Sequence, residues 1–455
     1  MVATMISFGG RLIVPGDAEY DDARHVWNLA IDCHPVVIAR CSDTSDVVSA
    51  LAMARTTGMP IAVRGGGHSY PGHSTCDGGM VIDLRDLTDL SIDPRRRTAT
   101  AAPGLTWGAL TEAASVHGLA PVGGHVSSVG IAGSTLGGGN GWLSRMHGLA
   151  CDNLLEAEVV TAAGDIVTAS AEQNPDLWWG LRGGGGNFGI VVRFTLRLHP
   201  VAPMLAGMLI YPGEQAVSVL GAVGELGAAA SDETSVLACL FTAPPAPFIP
   251  PELVGQLVTM LVGCYVGPVQ DGERALAPLR KFGSPAVDTF APTPFAALQH
   301  VFDAVAAAPM PYYMRSHLLG RLDDAAAAAL VENAAAVTSP LSSVLLVPMG
   351  GAIARVPSNA TAVGHRDAAY CLEIGAAWLP PGEDSQPHRD WADRIWQAMK
   401  PWSAGNEVNH QIDDSPAGVL AAYGQQNFAR LAEVKRRWDP DNAFRLNHNI
   451  PPAGA

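Results

Sequence analysis

Residues 64–73 read Arg64-Gly65-Gly66-Gly67-His68-Ser69-Tyr70-Pro71-Gly72-His73 and follow the short apolar strand Ile61-Ala62-Val63. Three successive glycines let the backbone approach a ligand closely and turn its N–H groups into an anion-binding concavity. A phosphate-bearing group is the expected occupant. Arg64 is expected to add a fixed positive charge, and His68 to be a nucleophile held against whatever the loop cradles. The combination points to a bound, even tethered, cofactor.

Glycines cluster twice more. One run is Gly130-Ile131-Ala132-Gly133-Ser134-Thr135-Leu136-Gly137-Gly138-Gly139-Asn140-Gly141-Trp142, and the other is Arg182-Gly183-Gly184-Gly185-Gly186-Asn187-Phe188-Gly189. The spacing Gly184-x-Gly186-x-x-Gly189 matches a dinucleotide fingerprint. A Rossmann loop, however, leaves a strand and opens a helix, whereas this one follows the helical segment 176–181 and opens the strand 190–196. No Gly-Lys-Ser/Thr occurs, which excludes a Walker loop. A single cluster is compatible with tight turns alone; three, two of them led by arginine, point to a ligand.

The chain has 455 residues, too many for one hydrophobic core, and with 48% hydrophobic residues it can bury a large one. Its net charge of -15, from 28 basic and 43 acidic residues, argues against nucleic acid or an anionic membrane as partner. With no basic leader and no long uncharged apolar run, the expectation is a soluble cytoplasmic protein, a monomer or homodimer acting on a small molecule. The cysteines at 33, 41, 76, 151, 239, 264 and 371 are scattered without any Cys-x-x-Cys pair and read as ordinary thiols. His125, His147 and His448 show no metal-ligand spacing either, so no metal is expected.

The pattern is α+β. Strands are expected at 80–84 and 98–102, a helix at 105–116 and a hairpin over 158–168 turning at Ala163-Gly164. From residue 201 longer apolar runs at 204–211, 235–242, 257–266, 344–356 and 370–378 alternate with helices such as 323–337. These predict a broad, mostly antiparallel sheet covered by helices. The alanine tracts at 306–308 and 325–329 are strong helix formers. A helix over 419–438 is stopped by Asp439-Pro440. Three regions follow: 1–200, 201–402 as a substrate-binding domain, and a tail, 403–455.

The three glycine runs, with Ser144-Arg145 and Asp152-Asn153, resemble the berberine bridge enzyme-like oxidoreductases of the vanillyl-alcohol oxidase flavoprotein group. The closing residues Tyr423-Gly424, Arg430-Leu431, Lys435, Asp439-Pro440-Asp441-Asn442, Phe444 and Ile450 resemble that family's last segment. Similarity is greatest to bacterial enzymes that tailor secondary metabolites. The resemblance implies a two-part FAD-binding domain of the PCMH type, with residues 403–455 returning to it from the substrate domain.

It also implies roles. His68 is the expected covalent attachment site, through the 8α carbon of FAD. Many relatives add a second bond from a cysteine; that position here is Val126, so a single link is expected. Val129 stands where the family controls oxygen access, and valine there resembles the oxidases. Expected FAD contacts are Arg64, Gly65, Gly66, Gly67, Ser69, Val129, Gly130, Gly133, Leu136, Gly137, Gly138, Gly139, Gly141, Trp142, Leu143, Asp152, Asn153, Val160, Asn409 and Asn447. The family's Tyr-x-Asn-Tyr motif appears as Glu407-Val408-Asn409-His410, so the catalytic base is expected among His410, Glu407 and Glu373. Alternation places Cys371, Glu373 and Gly375 on one face of their strand. For Glu373 the residues leave two readings open, a catalytic carboxylate or an edge charge facing solvent. The expected reaction is hydride transfer to flavin N5 with O2 as acceptor and H2O2 as product. A flavin monooxygenase acting on a polyketide-like substrate, and a non-catalytic flavin- or small-molecule-binding protein, are the alternatives.

Overall fold

A computed structural model describes residues 8–303 and 309–454. The alanine tract at 306–308 lies outside the described residues. The fold mixes helices with three sheets, as the α+β pattern predicts. The first sheet orders its strands Arg11–Ile13, Val37–Arg40, Met80–Asp83 and Ile61–Arg64. Its last three strands run parallel. Arg64 therefore ends a parallel strand, and the first glycine loop leaves from the carboxyl end of that strand.

The second sheet is antiparallel and is built on the long strand Ile190–Pro200, which pairs with Thr98–Ala101, Leu119–Pro121 and Leu154–Val160. The predicted hairpin is present, as Leu154–Val160 paired with Ile166–Ser170. The helix expected at 105–116 spans Trp107–Ser115, started by the Thr106 side chain accepting from Ala109 N–H.

The third sheet has nine strands. Eight run Val287–Asp288, Met204–Pro212, Leu257–Tyr265, Thr234–Thr242, Ser343–Pro348, Tyr370–Ala377, Tyr312–Leu319 and Ser403–Gly405 in spatial order, and Ala291–Thr293 also pairs with Met204–Pro212. Alternation divides this sheet cleanly. Val236, Ala238, Leu240, Leu346, Leu372 and Ile374 pack with Leu220, Leu330 and Trp391 of the covering helices. The opposite face sends Leu237, Cys239, Val347 and Cys371 into a cluster with Trp142, Leu143 and Leu149, which follow the second glycine run. The inner face of the sheet is thus held against the glycine loops by apolar burial.

Two elements differ from expectation. The run 344–356 is a strand only to Pro348, because Gly350 and Gly351 take positive φ (77° and 56°) and turn the chain into the short helix Ala352–Arg355. The helix expected over 419–438 is two helices, Pro416–Tyr423 and Gln425–Trp438, broken at Gly424 with φ 73°. Behind the second helix, the fully buried Lys435 ammonium donates to Asn187 O, Phe444 O and the Asp439 carboxylate at 2.7, 2.9 and 2.7 Å. The Ile450 N–H donates to Asn187 Oδ1 at 3.0 Å, so the tail is pinned to the third glycine loop.

Candidate active site

The three glycine loops converge. A Cβ on Gly66 would lie 2.5 Å from Gly130 N, and one on Gly130 would lie 2.5 Å from Gly66 N, so the first two loops touch backbone to backbone. Leu136 O accepts the N–H groups of Gly183 and Gly185, both at 2.9 Å, which joins the second loop to the third. Gly137 lies directly against the Asn409 side chain, which donates to Ser134 O at 3.1 Å. Residues hundreds of positions apart thereby share one wall.

His68 stacks on Trp27 (ring centroids 4.9 Å apart), and Trp27 stacks on Tyr312 at 4.2 Å. Tyr70 meets Trp27 and Tyr312 edge-on, and its ring lies 5.8 Å from that of His410. Burial pushes the His68 imidazole down to a pKa of about 4, so it is neutral at physiological pH. Burial also holds the Tyr70 phenol well above its ordinary value, so it stays protonated.

Beyond Tyr70 lie the three ionisable groups of the sequence motif and its sheet partner. His410 Nδ1 sits 2.5 Å from Glu407 Oε2, and Nε2 sits 3.6 Å from Glu373 Oε1. The Cys371 thiol, one step along the Glu373 face, also reaches the imidazole. The Ser316 hydroxyl donates to His410 O at 3.2 Å, which ties the turn Val408–His410 to the sheet. Glu373 lies on a central strand, between Ser343–Pro348 and Tyr312–Leu319, and its side chain is only 12% exposed. An edge charge facing solvent does not describe it. Burial opposes charge on His410, but Glu373 and Glu407 outweigh it and raise the pKa well above the ordinary histidine value. Burial also raises Glu373.

The side chains of several expected cofactor contacts have partners within the chain. Arg64 is fully buried and its guanidinium donates to the carbonyls of Ser74, Ala23, Arg24 and His25, so it braces the chain behind the loop and offers no free charge to a phosphate. Asp152 is held bidentately by Arg366 at 2.7 and 2.9 Å. The Asn153 amide donates to the carbonyls of His147 and Leu149 and its oxygen meets His199. Both are braces of the turn after the second loop. Leu143 and Val160 are core residues, and Trp142 packs edge-on against His125 at 4.6 Å. Val129 is half-buried beside Gly130, and Ser69 Oγ accepts from His73 N–H. Asn447 donates to Phe444 O.

The wall fits a polar cofactor. Gly67, Gly138 and Gly139 take positive φ, and a Cβ on Gly133 would meet nothing. Among the described residues, buried Ser128 Oγ, His125 Nε2, Tyr423 Oη, Asn447 Oδ1 and Asn449 Oδ1 have no partner within the chain, and all lie in or beside these loops and the tail. Buried polar atoms of this kind call for a polar ligand. Trp27, Tyr312 and His125 carried no local motif in the sequence. Tyr70 stood in plain view, two residues beyond His68.

Comparison with known proteins agrees with this architecture. Residues 35–170 match the FAD binding domain model, and residues 408–451 match the model described as berberine and berberine like. The chain is 32% identical to (R)-6-hydroxynicotine oxidase of Paenarthrobacter nicotinovorans, over 100% of this chain and 99% of the relative. It belongs to the berberine bridge enzyme-like FAD-linked oxidoreductases. This FAD-linked oxidoreductase is also 30% identical to an uncharacterised FAD-linked oxidoreductase of Bacillus subtilis over 97% of both chains. The solved 6-hydroxy-D-nicotine oxidase of Arthrobacter nicotinovorans superposes with TM-score 0.88 at 27% identity, covering 99% of each chain. A berberine bridge enzyme-like protein of Physcomitrella patens superposes with TM-score 0.87 at 26% identity, covering 98% of each. Among the described residues no helix is long and apolar enough to cross a membrane.

Proposed function

We propose that this oxidoreductase is an oxidase that holds FAD through a single bond from His68 and oxidises a compact, largely apolar alcohol or amine against the inner face of the nine-stranded sheet. The observation that carries the reading is the Glu373–His410–Glu407 cluster, connected to His68 ring by ring through Tyr70 and Trp27. When bound, FAD supplies the two-electron acceptor, taking hydride at N5 and passing electrons to O2 to give H2O2. The chain supplies the rest.

A tether requires a neutral imidazole as nucleophile, and burial keeps His68 in that form. Val126, half-buried two residues before Ser128, offers no thiol for a second link. The His410 imidazole lies between the carboxyl groups of Glu373 and Glu407, which raise its pKa, and the cluster can accept the proton that leaves a substrate O–H or N–H. Glu373, raised by burial, is the acceptor within it. His410 stays charged and offsets the negative charge of its neighbours.

The same sheet face presents Leu345 and Ser316 beside Glu373, with Met314 next to Ser316 and Cys239, Phe241, Met260 and Met208 on the strands beyond Leu345. Such a surface has few donors and acceptors for a polyhydroxylated chain, and favours a small apolar molecule with one reacting group. The relative named for 6-hydroxynicotine is consistent with a substrate of that size.

The test is anaerobic mixing of the holoenzyme with panels of apolar alcohols and amines while the flavin absorbance is followed. The reading requires bleaching by members of these panels, one H2O2 per product in air, and no label in the product under labelled O2. Incorporation of label would make the protein an oxygenase instead.

A further inference from the structure

We propose that His73, Asp414 and His448 form a binding site for a divalent transition-metal ion of the zinc class. His73 Nε2 lies 2.9 Å from Asp414 Oδ2, and His448 Nδ1 lies 2.6 Å from Asp414 Oδ1. All three candidate ligand atoms fall within 4.8 Å of one another. The two imidazole rings stand nearly perpendicular, at 88°, with centroids 4.7 Å apart. Their nitrogens therefore converge on the carboxylate from different directions.

A tetrahedral ion with bonds of about 2.0–2.1 Å holds its ligand atoms about 3.3 Å apart. The two histidine–carboxylate separations are shorter than that by about 0.4 and 0.7 Å, and all three ligand atoms lie within 4.8 Å of one another, adjustments that side-chain rotation can supply. A hydrogen-bonded clasp accounts for His73, whose Nε2 is hydrogen-bonded to Asp414 Oδ2, but less well for His448. His448 Nδ1 is buried and finds no aligned hydrogen-bond partner, although a carboxylate oxygen lies 2.6 Å away. An ion seated between them needs only the lone pairs to converge.

Two imidazoles and one carboxylate are a ligand set suited to Zn2+, Co2+, Ni2+ or Fe2+ rather than to Mg2+ or Ca2+. The Asp414 side chain is 45% exposed and that of His73 21%, which leaves solvent free to complete the coordination. The ligands come from three segments: the loop that carries His68, the link between His410 and the helix Pro416–Tyr423, and the tail. His73 N–H donates to Ser69 Oγ, beside His68, and His448 O accepts from Asn187 of the third glycine loop at 3.1 Å. A bound ion would staple the tail to the tether loop. Separations of 341 and 34 residues hide this site from any motif search.

The experiment uses untagged holoenzyme, stripped with chelator and then dialysed against Zn2+. The site requires one Zn2+ per chain by elemental analysis and a rise in Tm on adding Zn2+, with affinity falling at least tenfold in both Asp414→Asn and His73→Gln. The flavin absorbance of each variant reports that it is folded. Absence of bound Zn2+ in the wild-type chain, or unchanged Zn2+ binding in the two variants, overturns the proposal.

Discussion

At the scale of single residues, the function rests on where protons can sit. Glu373→Gln keeps the shape of the side chain but removes the proposed acceptor, so anaerobic flavin reduction by substrate is expected to slow about 10²–10⁴-fold. Flavin content should not change; an equal loss of flavin would mean that Glu373 holds the fold together instead. His410 adds a pH signature. Its folded pKa lies above the unfolded value of about 6.5, so its contribution to stability is complete below that pH and is lost as pH rises through the folded value. Denaturant titrations of wild type and His410→Gln should therefore differ most at acidic pH and converge on the alkaline side. The sequence motif brought Glu407, Asn409 and His410 forward and alternation brought Glu373, but neither could say that a third strand would deliver Tyr312. Arg64 shows the opposite failure: an arginine beside a glycine loop promises a phosphate, and only the backbone path shows four carbonyls taking its donors.

At the scale of elements, the loops are fixed by close approach and the tail by one buried charge. Gly66→Ala would drive a Cβ to within 2.5 Å of backbone at Gly130, which has no way to yield without separating the first two loops. The expected result is protein that folds but purifies with little flavin, read from the ratio of visible to ultraviolet absorbance. Lys435→Met leaves Asp439 buried without its partner, a loss of about 3–5 kcal/mol. Urea titration measures it, and a change within error would show that the tail is held by packing alone. The strands of the large sheet were legible because one face is uniformly apolar over eight or nine residues. Tyr312–Leu319 was not, since Arg315, Ser316 and His317 interrupt the hydrophobic run while their partners lie in distant segments.

For the whole molecule, the three glycine loops, the inner face of the nine-stranded sheet and the tail enclose one site, and the aromatic chain His68–Trp27–Tyr312 with Tyr70 links its two sides. That convergence could be expected from the resemblance, but which side chains meet depends on strand register, which no local pattern encodes. The central claim is that His68 is the sole tether of a flavin facing the proton cluster. It is tested by precipitating the protein with acid, washing away free cofactor, and measuring flavin absorbance in the pellet for wild type and His68→Ala. The account predicts a yellow wild-type pellet, a colourless His68→Ala pellet with its flavin in the supernatant, and an FAD-bearing peptide that contains His68. A colourless wild-type pellet, or a yellow one from His68→Ala, would contradict it.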